Sequence, residues 1–209
     1  MIDAISLETA HLLGDALPSA HRLRHRIFIG RQKYAVPSHR GMEWDQFDTP
    51  AAVYMLWRDE AACVRAIARL IPTSQPYMIQ QLWPELVRNG EMPCGDDVWE
   101  VTRFGIDRDL DFERRGRVFG EMFCAFGEFG LKTGISAYVF VTPAAVIDSA
   151  LGNAGVTFQQ LGDSNQLGRL PVVAARSAVS HAALRRLRRH HGISGPVLRL
   201  AGEAETRAA

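Results

Sequence analysis

Apolar positions change period several times along the chain, and each change marks an element. Ile2 to Ile5 predicts a short first strand. Between Ala20 and Gly30, Ala20, Leu23 and Ile27 share a stripe while Arg22, Arg24, His25 and Arg26 crowd the other side, which predicts a helix. No period runs through Arg31 to Pro50, and a loop that long in a compact domain is more often functional than idle. Val53 to Arg58 and Ala62 to Ile71 are β-like runs around the turn-prone Asp59-Glu60, so a hairpin is expected. Pro72, Pro76 and Pro84 punctuate the next connection, which contains the aromatic-rich piece Tyr77 to Leu86. Val98 to Ile106 reads as a strand. Val118, Phe119, Met122, Phe123, Phe126 and Phe129 then recur at helical spacing through Arg114 to Lys132. A strand at Ala137 to Thr142 leads into a helix over Pro143 to Asn153, with proline at its start and Gly155 as its stop. Strands near Val156 to Leu161 and at Leu170 to Ala175, a helix over Ala178 to His191 and a short apolar end at Val197 to Leu200 complete the pattern. A hairpin followed by alternating strands and helices predicts an α/β fold, a mixed twisted sheet with helices on both faces, in one domain over 1–209.

Composition supports a single core: 47% of the 209 residues are hydrophobic and 22% charged, which excludes disordered and disulfide-stapled classes. With 24 basic against 23 acidic side chains, the overall balance points to no nucleic-acid partner. The distribution is less even. From Gln166 onward eight arginines face Glu203 and Glu205, a net of +6 that leaves −5 on the first 165 residues. That asymmetry predicts an acidic partner near the C-terminal end. The longest apolar run, Ala137 to Ile147, is broken at Thr142 and Pro143 and falls short of the roughly 20 residues of a membrane span. The start of the chain lacks the basic and apolar regions of a signal peptide. Cys63, Cys94 and Cys124 are odd in number and widely spaced, which fits reduced thiols and offers no metal-ligand pattern. The expectation is a cytoplasmic protein with no membrane insertion and no metal.

Four clusters could carry chemistry: Arg24 with Phe28, the run Glu43 to Asp48, Arg69 at the end of an apolar strand, and Trp99 to Phe104. Each has a plain structural account. Arg24 suits a solvated helix face, and Asp45 and Asp48 suit turn bonds within a loop. A buried Arg69 needs a carboxylate or several carbonyls, and Glu100 is the nearest candidate by type. Glu100 and Arg103 fall on opposite faces by strand alternation unless a bulge intervenes.

Taken in order, RHRIF (24–28), EWDQFD (43–48), RLIPTSQPYM (69–78) and WEVTRF (99–104) resemble the autoinducer synthase family, which makes acyl-homoserine lactones for quorum sensing. The resemblance covers most of the chain and is densest over 22–106. It implies the GNAT-like fold of acyltransferases related to histone N-acetyltransferases. It implies a reaction in which the amine of S-adenosylmethionine takes an acyl group from a thioester on acyl carrier protein or acyl-CoA. The methionyl carboxylate then closes the lactone and expels methylthioadenosine. S-adenosylmethionine is here a substrate, so no cofactor is expected. The family's site positions fall on Arg24, Phe28, Asp45, Asp48, Arg69, Glu100 and Arg103, with Phe104 as a pocket wall. Tyr34 stands where the family usually has tryptophan, keeping the aromatic face and adding a hydroxyl.

On this reading residues 1–50 form a mobile helix and loop over the S-adenosylmethionine site, and 192–209 form a tail. Asp45 and Asp48 suit the substrate's cationic groups, and aromatic faces such as Phe28 and Tyr34 add roughly 0.5–2 kcal/mol of cation–π attraction. Arg24 or Arg103 would clamp the carboxylate. Glu100 would act as base or orient the amine, fixed by Arg69 and Arg103, a pairing that would depress its pKa. Thr142, Phe123 and Val141 are expected at the acyl chain, although Thr142 equally suits a helix cap. Arg115 and Arg117, in a stretch expected to open a helix, and Arg185 and Arg186, in a solvated basic run, are candidates for docking the carrier or CoA. Two other readings stay open: an acyl-CoA-dependent N-acyltransferase on the same scaffold, and a non-catalytic binding module. A methyltransferase is not indicated, since no glycine-rich turn follows an early strand.

Overall fold

The hairpin expected from residues 53–71 lies near the middle of the sheet it helps to build. The computed structural model describes residues 1–88, 90–147, 152, 155–167 and 170–203. Strands β1 (Ile2–Ser6), β4 (Val53–Arg58), β5 (Val64–Pro72), β6 (Val98–Ile106), β7 (Ala137–Pro143), β8 (Gln159–Gln160), β9 (Asn165–Leu167), β10 (Leu170–Ala178) and β11 (Leu198–Leu200) form the main sheet. Its order is β11-β1-β4-β5-β6-β7-β10-β8, with β9 on β10. The pairs are antiparallel except β6 with β7 and β1 with β11, as the predicted mixed sheet requires. The loop of 31–50 holds a small hairpin of its own, β2 (Ser38–His39) with β3 (Met42–Glu43).

Helix α1 (Ala16–Arg24) covers one face of the sheet, with Leu23 of α1 packed among Tyr54, Ile67 and Val139. Helices α3 (Phe112–Thr133) and α5 (His181–His191) cover the other, where Val118, Met122 and Phe126 meet Leu184, Leu187 and the strand residues Met55, Ala68 and Leu70. Local chemistry sets the ends of α3 and α5. Asp111 and Ser180 accept from the amides three residues on, and Gly134 and Gly192 close the helices in the left-handed region at φ 79° and 64°. No helix among the described residues is long and apolar enough to cross a membrane.

Several boundaries differ from expectation. The helix expected over 20–30 begins at Ala16 and changes at His25 into a π-helical turn, His25–Arg31, in which the Gln32 N–H reaches back to the Ile27 carbonyl. The extra residue in that turn rotates Ile27 and Phe28 together into the core. Pro143 pairs with Val172 at the end of β7 and is also the N-cap of the helix that follows. That helix is α4 (Ala144–Val146), and most of 148–154, where the expected helix would continue, lies outside the described residues. Helix α3 starts at Phe112, so Arg115 and Arg117 sit inside it, and its first turn is already capped by Asp111. The expected helix start at 115–120 therefore lies within the first turns of α3, and Asp111 takes the Arg114 amide there.

Two features of β6 position the site. Ile67 and Arg69 of β5 pair with Gly105 and Thr102, so β6 has one residue more than β5 over this stretch, a β-bulge. Arg103 takes up the extra length with φ 52°. The parallel pairing of β6 and β7, moreover, covers only Val98–Val101 against Ala137–Phe140, and beyond it the two strands part.

Gly162 has no room for a side chain, because an added Cβ would lie 2.6 Å from the Leu86 carbonyl oxygen. The exposed Gly116 in α3 meets nothing. Gly162→Ala is therefore expected to cost about 1–3 kcal/mol and lower Tm by several degrees, and Gly116→Ala to gain about 0.5–1 kcal/mol. Calorimetry on the two variants checks the contrast.

Candidate active site

The site begins with a buried cation. Arg24, the last residue of α1, is 0% exposed, and its guanidinium points at the segment after β3. Its Nε donates to Glu43 Oε2 at 2.5 Å, and its Nη1 and Nη2 donate to Asp48 at 2.6 and 3.0 Å. Arg69 of β5, also 0% exposed, donates to both oxygens of Asp45 at 2.5 and 3.2 Å and lies 2.9 Å from Asp48 Oδ1. Arg103 donates to Asp45 Oδ2 at 2.6 Å and to Glu43 Oε1 at 3.2 Å. Three guanidiniums and three carboxylates thus interlock, each acid bridging two arginines.

The surroundings keep this network in one arrangement. The Asp45 amide donates to Asp48, the Tyr54 hydroxyl donates to Asp48 at 2.9 Å, and Thr102 accepts from Arg69 Nε at 3.1 Å. One His21 ring nitrogen lies 2.8 Å from the Glu43 carbonyl oxygen, which ties β3 to α1. Burial and the neighbouring Arg24 charge lower the pKa of His21, so the ring is neutral and donates there. Burial works against the charges of Arg24 and Asp48, but the bonds and charges between them prevail, raising the arginine and holding the carboxylate well below its ordinary range. Burial lowers Arg103.

Glu100 stands beside the network but is not bonded to it. Its oxygens accept from the amides of Met78 and Ile79, at 2.9 and 2.7 Å, at the start of α2 (Met78–Leu82). This corrects the expected ion pair with Arg69 and Arg103: both arginines are taken by the acids of the loop. It also corrects the expected depression of its pKa. Burial pushes Glu100 up to about 7, with the two amides and the charges of Arg69 and Arg103 pulling back only in part.

The bulge brings Arg103 onto the face of Glu100, Thr102 and Arg69, where it lies 5.4 Å over the Phe28 ring. Phe28 stacks on Tyr34 at 6.2 Å, and Tyr34 remains 44% exposed at the rim. The same bulge sends Phe104 to the opposite face, against Phe119, Phe123 and Phe126 of α3, so it does not wall the pocket of Arg24 as expected. Trp44 is 50% exposed and edge-on to His21.

The three expected acyl residues do not share one wall. Phe123 lies on the α3 face, Thr142 shares that face by strand alternation with Phe140, and Val141 packs on the α1 face. They flank the gap between β6 and β7 from its two sides. Of the expected docking arginines, Arg115 donates to the carbonyls of Arg108 and Leu110, Arg117 pairs with Glu121, and Arg186 donates to Gly155 and Thr157. Arg185 is exposed on α5.

A family model described as autoinducer synthase matches residues 10–187. The chain belongs to the autoinducer synthase family. An acyl-homoserine-lactone synthase of Aeromonas salmonicida is 34% identical over 146 residues, 68% of this chain and 69% of that protein. A solved CoA-dependent acyl-homoserine lactone synthase, BjaI, with SAM and isopentyl-CoA, superposes with a TM-score of 0.89 at 27% identity, over 98% of this chain and 94% of that one. An N-acetyltransferase from Lactobacillus plantarum shares the fold alone, with a TM-score of 0.56 at 14% identity over 86% and 99% of the two chains. The autoinducer synthase chain thus carries the GNAT-like architecture expected of it.

Sequence reading placed Glu43, Met78 and Thr102 inside the clusters and motifs it singled out but gave them no role, and it left out His21 and Tyr54. Glu43 had a readable signal, since an acid two residues before Asp45 shares its face in an extended segment. Nothing in the pattern marked His21 or Tyr54.

The two buried acids give opposite pH responses. Asp48, held below its ordinary 3.8, contributes stability that is present above that value and lost as pH falls. Glu100, raised from 4.5 to about 7, contributes stability that is full below 4.5 and lost as pH rises through 7. Urea midpoints from pH 3 to 8 are expected to lose their neutral decline in Glu100→Gln. Asp48→Asn is expected to flatten the acid limb and to cost about 1.5–3 kcal/mol at pH 7, since it removes one of the two carboxylates shared by Arg24 and by Arg69.

Proposed function

We propose that this autoinducer synthase makes acyl-homoserine lactones from S-adenosylmethionine and an acyl thioester. The observation that carries the reading is the placement of Glu100. It lies between the interlocked Arg24–Arg69–Arg103 network and the parting of β6 from β7. S-adenosylmethionine brings an ammonium, a sulfonium and a carboxylate, all of which find counterparts here. Asp45 and Asp48 face the cationic groups, Phe28 and Tyr34 offer aromatic faces, and Arg103, the most exposed of the three site arginines at 10%, clamps the carboxylate.

The thioester enters the gap between β6 and β7, with Phe123, Val141 and Thr142 around the acyl chain. Glu100 takes the proton of the substrate ammonium, whose pKa is near ~8, directly or through one water. The freed amine attacks the thioester carbonyl, the C–N bond forms, and the C–S bond breaks to release the thiol. Arg24 and Arg69 act by holding Asp45 and Asp48 in place. The methionyl carboxylate then attacks its own γ-carbon, the bond from that carbon to sulfur breaks, and methylthioadenosine leaves with the sulfur's electron pair. S-adenosylmethionine is consumed, so the reaction calls for no cofactor. Residues 1–50 supply Arg24, Phe28, Tyr34, Asp45 and Asp48, in keeping with their reading as a cover over the substrate. The exposed Arg185 is a docking point for an acidic carrier protein or for CoA. Three free cysteines, Cys63, Cys94 and Cys124, fit a cytoplasmic setting.

Mixing the enzyme with S-adenosylmethionine and a panel of acyl thioesters is expected to release methylthioadenosine and a lactone in equal amounts, read by mass spectrometry. Acylation of other amines with no methylthioadenosine would support the plain N-acyltransferase instead. Glu100→Gln is expected to lower kcat by about 10²–10⁴-fold. Near-native acylation by that purified variant would remove Glu100 from the role of base.

A further inference from the structure

Among the described residues, Met78 alone bonds to both Glu100 and the site arginines. Its amide donates to Glu100 Oε2 at 2.9 Å, while its sulfur lies 3.3 Å from Arg69 Nη2 and 3.5 Å from Arg103 Nη1. The side chain is only 4% exposed, so these contacts are made away from solvent. Arg69 Nη2 also donates to Asp45, whereas Arg103 Nη1 donates to the sulfur.

A thioether is a weak, uncharged acceptor. It satisfies the direction of a guanidinium N–H without adding a negative charge. A buried N–H left without an acceptor is costly, so a cation deprived of the sulfur turns toward the nearest anion. Glu43, Asp45 and Asp48 already take other N–H groups of the two arginines, and the anion left to the freed ones is Glu100, which both arginines influence through space. The charged and polar groups facing Glu100 are Arg69 from β5, Arg103 from β6, Tyr77 ahead of α2 and the two amides that open α2.

We propose that Met78 is a positioning residue for the acylation step: its thioether holds the inner N–H groups of Arg69 and Arg103 off the Glu100 carboxylate, which the start of α2 fixes in place. The inference rests on Glu100 as base for its consequence in catalysis, but its geometry is testable without turnover. The same sulfur separates two electrostatic compartments, an ion-paired one that receives the substrate's charges and an isolated carboxyl that handles its proton.

The test is a ¹³C NMR titration of the Glu100 carboxyl carbon in the ligand-free full chain, assigned by its absence in Glu100→Gln. Met78→Leu keeps the volume and removes the acceptor, a change a core tolerates. Its Glu100 midpoint is expected to fall by about one pH unit, with the acid limb of kcat/KM moving the same way; that one unit is a tenfold change in proton affinity. Met78→Gln, which returns an acceptor oxygen, is expected to move the midpoint back toward the native value. A native midpoint in Met78→Leu, or a Met78→Gln midpoint equal to that of Met78→Leu, overturns the assignment. If the midpoints move as expected while no thioester yields lactone, the functional reading fails and the positioning role stands.

Discussion

A guanidinium cannot be buried alone, and the architecture of this autoinducer synthase follows from having three such groups in one place. Arg24 and Arg69 are fully enclosed and Arg103 nearly so. Each demands carboxylate oxygens within hydrogen-bond reach, and their desolvation is offset only if the geometry is good. The acids come from a stretch with little regular structure, so the arginines order the loop as much as the loop neutralises the arginines. The short β2–β3 hairpin, the His21 contact and the Tyr54 hydroxyl all fix the acids where three separate elements need them. Because each acid bridges two arginines, helix, loop and strands are joined as one unit.

Glu100 gains its character from being left out of that arrangement. Had it paired with Arg69, it would be a permanent anion and a poor base. Two backbone amides are enough to orient it but too weak to offset its burial, which leaves it able to gain and lose a proton around neutral pH. The division is made by geometry: β5 and β6 present their cations toward the loop, while the segment that turns into α2 comes in from the other side.

Much of this was legible in the linear pattern. Val98–Ile106 was read to the residue, and the β4–β5 hairpin and the two helix-covered faces follow from periodicity and turn chemistry. The charged clusters were visible because an arginine in an apolar strand has few explanations. Two things were not legible. One is partner choice: by type Glu100 is the nearest acid for Arg69, and only the folded positions decide that Asp45 and Asp48 take it. The other is phase. Alternation places Phe104 with Glu100, and a single extra residue at Arg103 reverses that, yet bulges leave little mark in composition. The π-helical turn at His25–Arg31 is the helical form of the same problem, one added residue that re-aims Phe28.

The switch of phase within β6 has an evolutionary consequence. On the proposed reading, residues before and at the bulge serve the cationic substrate on one side of the sheet, whereas Phe104 just after it joins an aromatic cluster on the other. A single strand therefore separates two sets of selective pressures. On that reading, substitutions among the α3 phenylalanines change part of the wall offered to an acyl tail while the residues offered to S-adenosylmethionine, on the opposite side of the sheet, keep their places.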